Sequence, residues 1–295
     1  MRKLKIILLN LLLPFILFAQ EDLLNTLDSI AEPTTNYTAA TFKTTRVVTG
    51  HSIESMKEGQ LEFRISHRFQ KMNEGPGQLW GLDQSIIFLS LEYGVTDWLE
   101  FGVGRTPTEK TYNGFMKLGL YRQSTGKSSM PVSISYLGEI DINSAPFDDP
   151  TLNNFFTSRL TFVHQLLIAK KYSDEFSLQL TPTLIHRNIV LSSLDKNDIY
   201  SLGVGARYKF NTRCSFNFEY FYVYRPSYST GVTYNNPVSV GVDIETGGHV
   251  FQIMLTNSLG MISKHYIADN VGDWRKGEIH LGFNISRVFT LFGGK

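Results

Sequence analysis

Cysteine is almost missing from this chain. Cys214 stands alone, so no intramolecular disulfide staples the fold, and no cysteine follows the N-terminal segment where a lipid anchor would attach. Tryptophan is scarce, three residues against 14 Tyr and 21 Phe. After residue 19 no apolar run approaches the roughly 20 residues that a spanning helix requires. An excess of one charge is also lacking, with 28 basic against 27 acidic residues, which excludes the electrostatic footprint of a nucleic-acid binder. No HExxH, CxxC, CxxCH or P-loop pattern occurs. The usual signatures of zinc proteolysis, thiol redox, covalent haem and nucleotide chemistry are therefore missing. Ser124-Thr125-Gly126-Lys127 matches SxxK as text, but it lies in a turn rather than at a helix start. Neither an enzymatic activity nor a cofactor is expected.

What is present begins with Arg2, Lys3 and Lys5, an apolar run over Ile6–Phe18, and Ala19. A run this short, ending on a small residue, reads as a cleaved signal peptide over 1–19, with the mature chain starting at Gln20. Without those three basic residues 25 remain against 27 acidic, a formal charge of −2. Exported chains without spanning helices are soluble or β-barrels, and an aromatic-rich, nearly cysteine-free one suits a barrel better than a disulfide-stapled secreted domain.

The pattern over Tyr200–Arg225 decides between them. Tyr200, Leu202, Val204, Ala206, Tyr208 and Phe210 alternate with small or charged residues. After Asn211-Thr212-Arg213 the alternation resumes with Cys214, Phe216, Phe218, Tyr220, Tyr222 and Tyr224. This is a hairpin whose arms approach the roughly 9–11 residues that a tilted strand needs to cross a bilayer. Its tyrosines gather at the ends, where hydrocarbon meets headgroups. Further alternating arms begin at Leu61, and the total is about twelve, an even number. Short links, as at Gly94–Trp98 and Lys171–Glu175, alternate with longer ones rich in Asn, Asp, Gly, Ser and Pro, as at Asn143–Asn154 and Asn257–Lys276. The expected fold is therefore all-β: a transmembrane antiparallel barrel over 59–295, with short periplasmic turns, longer extracellular loops, and its first and last strands paired.

Residues 20–58 form a periplasmic N-terminal segment, in which Leu23, Leu24, Leu27 and Ile30 fall at helical spacing before Pro33. Its stretch 36–58, with Phe42, Arg46, His51 and Glu54, is too polar for membrane; it either hangs in the periplasm or folds into the barrel mouth as a plug. On the wet faces of the strands the inward candidates are Glu62, Arg64, Arg68, Glu100, Lys117, Glu139, Arg159, Arg207, Glu219, Asp243, Glu245 and His280, with Glu92, Asp141, Arg225 and Glu278. Both signs are represented, so the lining selects neither anions nor cations by itself. The charges can border a hydrated pore or pair across the lumen and fill it. Gly102, Gly104, Gly203 and Gly205 lie on the same wet faces, where small residues leave the lumen clear or let side chains cross. His164 and His186 fall on lipid-facing positions, but the neighbouring arms offer no outward serine to complete a hydrolase. Asp148-Asp149, Asp195 with Asn197-Asp198, and Asp269-Asn270 with Asp273 could supply oxygens to calcium, but loop clusters of this kind usually remain solvated.

The stretches TFKTTRVVTGHSIE (Thr41–Glu54), LEFRISHRF (Leu61–Phe69), KTYNGFMKLGLYRQSTG (Lys110–Gly126), ETGGHVFQIMLTNS (Glu245–Ser258) and GEIHLGFNISRVF (Gly277–Phe289) resemble an uncharacterised family of Bacteroidota outer-membrane β-barrels, classed as a domain of unknown function. The resemblance spans nearly all of the mature chain. It implies an outer-membrane barrel and supplies no activity. The functional expectation is a passive channel or transporter for small hydrophilic solutes, embedded in outer-membrane lipid. The alternatives are a closed barrel with a structural or assembly role through periplasmic or outer-membrane protein partners and, more remotely, an outer-membrane lipid hydrolase.

Overall fold

The computed structural model describes residues 34–147, 155–190, 195–225 and 232–292. The signal segment, the helical spacing of 21–32 and Asp148-Asp149 lie outside them. The described residues form fourteen strands: β1 Thr35–Tyr37, β2 Gln60–Lys71, β3 Ser85–Thr96, β4 Leu99–Arg105, β5 Tyr112–Tyr121, β6 Ser124–Gly126, β7 Ser133–Ile142, β8 Leu160–Lys171, β9 Phe176–Arg187, β10 Asp198–Lys209, β11 Cys214–Tyr224, β12 Val238–Thr246, β13 His249–Thr256 and β14 His280–Thr290. Twelve of them, β2 to β5 and β7 to β14, close into one antiparallel barrel. The closure runs from Thr290↔Gln60 to His280↔Lys71, so the sheet has no open edge.

Period-two patterning makes this wall. In β11, Ser215, Asn217, Glu219, Phe221 and Val223 are buried, while their neighbours face outward. The outer face carries an apolar band that includes Leu89, Leu91, Val103, Leu202 and Ile253, all exposed. Aromatics ring both ends. Trp98, Tyr121, Tyr172, Tyr208 and Phe210 stand at the short-turn end, with Tyr112, Tyr200, Tyr222 and Tyr224 at the long-loop end. The Asn211–Arg213 turn joins β10 to β11 in register from Lys209↔Ser215 to Tyr200↔Tyr224.

At the short-turn end the turn between β5 and β7 carries β6, which pairs with β1 through Thr35↔Gly126 and Tyr37↔Ser124. This small sheet pins the chain just before it enters the barrel. At the other end of the inserted segment, Gly59 takes φ +74° and lies so close to Phe292 that a Cβ would meet the Phe292 carbonyl oxygen at 2.0 Å. Glycine is required where the chain leaves the lumen and joins the wall.

Candidate functional site

Twelve strands tilted at about 40° enclose a backbone cylinder about 24 Å across, which leaves space inside for a two-stranded element once the wall side chains are subtracted. Residues 41–56 occupy that space. Val47 N–H donates to the Gly50 carbonyl at 2.9 Å and Ser52 N–H to the Thr45 carbonyl at 2.9 Å, folding Thr45–Ser52 into a tight hairpin. Phe42, Val47, Val48 and Ile53 pack with Leu167, Ala169 and Met254 of the wall.

Each plug-segment residue singled out in the sequence has a wall partner or a local task. Arg46 Nη2 meets Glu92 Oε1 at 2.7 Å, and its guanidinium lies over the Phe115 ring. Phe42 is buried in the apolar cluster. The Glu54 carboxylate accepts the Thr41 and Phe42 N–H groups, closing the base of the hairpin, and its carbonyl accepts from Lys117 Nζ at 2.7 Å. His51 Nδ1 lies 3.0 Å from Arg46 Nη1 and its Nε2 lies 3.2 Å from Glu139 Oε1. Arginine can only donate, so Nδ1 is the acceptor and Nε2 carries the proton. Burial, aided by Arg46, Lys117 and Arg64, holds His51 well below its usual pKa, which matches this neutral tautomer.

Of the inward candidates on the wall, Glu62, Arg64, Arg68, Glu100, Lys117, Glu139, Arg207, Glu219, Asp243 and His280 are all buried in the lumen. Most of them hold the plug. Thr45 Oγ1 sits between Glu62 and Glu92 and accepts from Arg64 Nη2 at 2.6 Å. Glu219 accepts the Thr49 and Gly50 N–H groups at the hairpin tip, and Arg68 Nη2 donates to Thr49 Oγ1 at 3.2 Å. Glu100 accepts the Met56 N–H, and Arg207 Nη1 donates to the Ala40 carbonyl. Asp243 is held by Gln252 and Ser215 within the wall, and His280 Nδ1 donates to the Phe69 carbonyl. Glu245 stands at the short-turn mouth in an ion pair with Lys43.

Three wet-face assignments differ from the strand pattern. Arg159 lies in a 3-10 turn before β8, at the long-loop rim, where its Nη1 donates to the Asn143 and Ala145 carbonyls. Arg225 follows β11 and Glu278 precedes β14, so both belong to loops. Of the two roles open to the inward glycines, the crossing of side chains is the one seen. A Cβ on Gly102 would strike the Phe115 ring, on Gly104 the Phe88 ring and on Gly203 the Phe221 ring, while Gly205 lies under Val47. These positions receive rings and the plug rather than clear water.

A second obstruction was not legible as such. The link between β13 and β14, which reads as a surface loop, turns inward: Met261 and Ile262 pack on Phe88, and Tyr266 packs on Phe221 among Val163, Ile185 and Ile199. The two obstructions meet. Glu139 Oε1 takes His51 of the plug and, at 2.9 Å, the Ser263 hydroxyl of the loop. A Cβ on Gly50 would lie 2.4 Å from Glu219 Oε1 and 2.9 Å from the Tyr266 hydroxyl. The apolar content of LGMISKHYIADNV (Leu259–Val271) was the available signal.

Above this loop, at the long-loop end, lies a half-open chamber of about 770 Å³. Burial opposes the Glu109 carboxylate there, but His265 and Lys264 hold it down at about 2. On the outer face of the barrel, His164 Nδ1 pairs with the Tyr136 hydroxyl at 2.6 Å, and His186 Nδ1 with Asp198 Oδ1 at 2.6 Å. Among the described residues neither histidine has a serine partner. Among the described residues no three His, Cys, Asp or Glu side chains gather as a metal site.

No curated protein matches the sequence. Among solved structures, the NanC porin aligns with TM-score 0.48 at 8% identity, covering 79% of this chain and 100% of that one. The KdgM porin in complex with disordered oligogalacturonate gives 0.46 at 10%, covering 79% and 99%, and the CymD monoaromatic hydrocarbon channel 0.38 at 10%, covering 81% and 90%. A family model described as a membrane-bound β-barrel domain matches residues 42–289, from inside the plug to the last strand. With its closed wall, apolar outer band and aromatic ends, the chain belongs to that family, the membrane-bound β-barrel domain DUF5777.

Proposed function

We propose that this protein is an outer-membrane passive channel for small hydrophilic solutes, closed in the conformation described and opened by withdrawal of residues 41–56. One observation supports the reading: two chain segments are packed into the lumen against the inner wall. A barrel closed for good can fill with its own inward side chains. Here the wall keeps a polar inner face, and much of the seal is made of hydrogen bonds and ion pairs that water can replace. In this reading 1–19 is a signal peptide, 20–58 a periplasmic segment serving as plug, and 59–295 the barrel, with outer-membrane lipid around the apolar band.

The test is single-channel recording in planar bilayers with the mature chain from Gln20, a variant beginning at Gly59, and the same variant with the inward loop shortened across 259–268. Discrete steps that appear or lengthen on removing the plug, and grow on trimming the loop, are expected. Silence from all three would overturn the channel and leave a closed barrel that works through protein partners.

A further inference from the structure

We propose that the chamber at the long-loop end binds a small hydrophilic oxyanion, a carboxylate- or phosphate-bearing solute of about monosaccharide size. The chamber lies outside the plug and is floored by the inward loop, so this inference does not depend on the channel opening.

Arg159 and Arg187 line it together with the carboxylates of Glu109 and Asp269, and Arg225 stands behind the lining residue Tyr234. Arg187, at the outer end of β9, is 7% exposed and lines the chamber. Its Nη1 reaches Asp269 Oδ1 at 3.3 Å and its Nη2 the Lys196 carbonyl at 2.8 Å, while its Nε has no acceptor among the described residues. Arg225 stacks on the Tyr234 ring, another lining residue, at 4.8 Å. It donates Nη2 to the Ile267 and Ala268 carbonyls and leaves Nη1 without an acceptor among the described residues. Arg159 lines the chamber, held by two carbonyls and lying over the Phe147 ring. The other cations here are committed, Lys71 to Glu278 and Lys264 to Glu109.

Carbonyl oxygens satisfy donors without cancelling their charge. Asp269 pairs with Arg187 and its charge also acts on Arg225, and among the described residues neither Arg225 nor Arg159 has a carboxylate within ion-pair distance. Burial lowers Arg225 to about 10, a sign of the desolvation that an incoming anion would relieve. A carboxylate or a phosphate presents paired oxygens that match guanidinium N–H groups, and it is bound best where water is partly excluded. Arg225 also grips the inward loop at Ile267 and Ala268, which ties its guanidinium to the floor of the chamber.

The experiment is isothermal titration of the detergent-solubilised full mature chain with glucuronate, glucose 6-phosphate and glucose, which share a ring and differ in charge. Binding of either anion, weakened by added salt, with no heat from glucose, is expected. If one anion alone binds, the proposal stands and the oxyanion class is fixed. Arg187→Gln and Arg225→Gln should each weaken anion binding by about tenfold or more, and Arg187→Lys should restore part of it. Folding of each variant is checked by heat-modifiable mobility and circular dichroism. Equal binding of glucose and the anions, no binding of any of the three, or full anion affinity in both folded Gln variants would overturn the proposal. Because the readout is binding with the plug in place, its failure leaves the conductance result intact, and silence in bilayers leaves this one intact.

Discussion

Arg46 brings a guanidinium from the plug to Glu92, a carboxylate buried in the wall. Removing one partner of such a pair strands the other charge, at a cost of about 3–5 kcal/mol. Arg46→Ala should therefore favour release of the hairpin, turning long closed intervals into frequent openings in a bilayer; unchanged gating would show that Glu92 does not hold the plug. Gly50 offers a steric counterpart, since any side chain there collides with Glu219 and the Tyr266 hydroxyl. Gly50→Leu is expected to open the channel as Arg46→Ala does, while leaving the wall's charges untouched. His51 adds a dependence on pH. Docked, its pKa lies well below 6.5, so it stays neutral; released into water it takes up a proton once the pH falls below about 6.5. The released state gains from that uptake, so the closed state has its full stability above about pH 6.5 and loses it as the pH falls. The groups around the imidazole are Arg46, Lys117, Arg64 and Glu139. Between pH 8 and pH 5 the His51 chain should gain more open probability than His51→Gln does. An equal pH response in the two would contradict the assignment.

At the level of elements, the wall was readable because each strand has one greasy and one wet side. The Tyr200–Tyr208 and Phe216–Tyr224 alternations appear directly as outward rows, and the closing pair β14 and β2 follows from an even strand count. The interior was less readable, for a physical reason. Lumen-facing residues of a plugged barrel and of an open one are both polar, since the plug is itself polar and pairs with them. Arg64 would carry the same sequence signal bordering water as it does bonded to Thr45. Arg159 missed the strand because the alternation cannot mark where pairing ends. The inward loop escaped because its Asn and Asp residues read as solvent-exposed, although Met261, Ile262, Tyr266 and Ile267 needed a core. Tyr266 stands directly across from the hairpin tip. Replacing it with alanine in the variant that begins at Gly59 should enlarge the conductance step, and an unchanged step would place the narrowest point elsewhere.

For the whole molecule, the charges of the lumen set what a freed barrel would pass. Glu62, Glu92, Glu100, Glu139, Asp141, Glu219 and Asp243 are buried on the wall, against Arg64, Arg68, Lys117, Arg207 and, at the outer rim, Arg187. The plug adds Arg46 and backbone N–H groups to this acid-rich lining. Without them the variant beginning at Gly59 should show a mild preference for cations, read as a reversal potential in a salt gradient. Anion preference would mean that the outer arginines dominate passage.

The plug is fastened twice, by β1 on β6 and by Gly59 on the wall. Between these two points run about 20 residues, which can extend to about 70 Å at most, so a released hairpin never diffuses away. Its local concentration at the lumen stays in the millimolar range for flexible connections of this length. Closure is then an intramolecular event, independent of how much protein the membrane holds. A free peptide covering Thr38–Glu58, offered to the variant that begins at Gly59, would have to reach about millimolar levels to silence it as the tethered segment does.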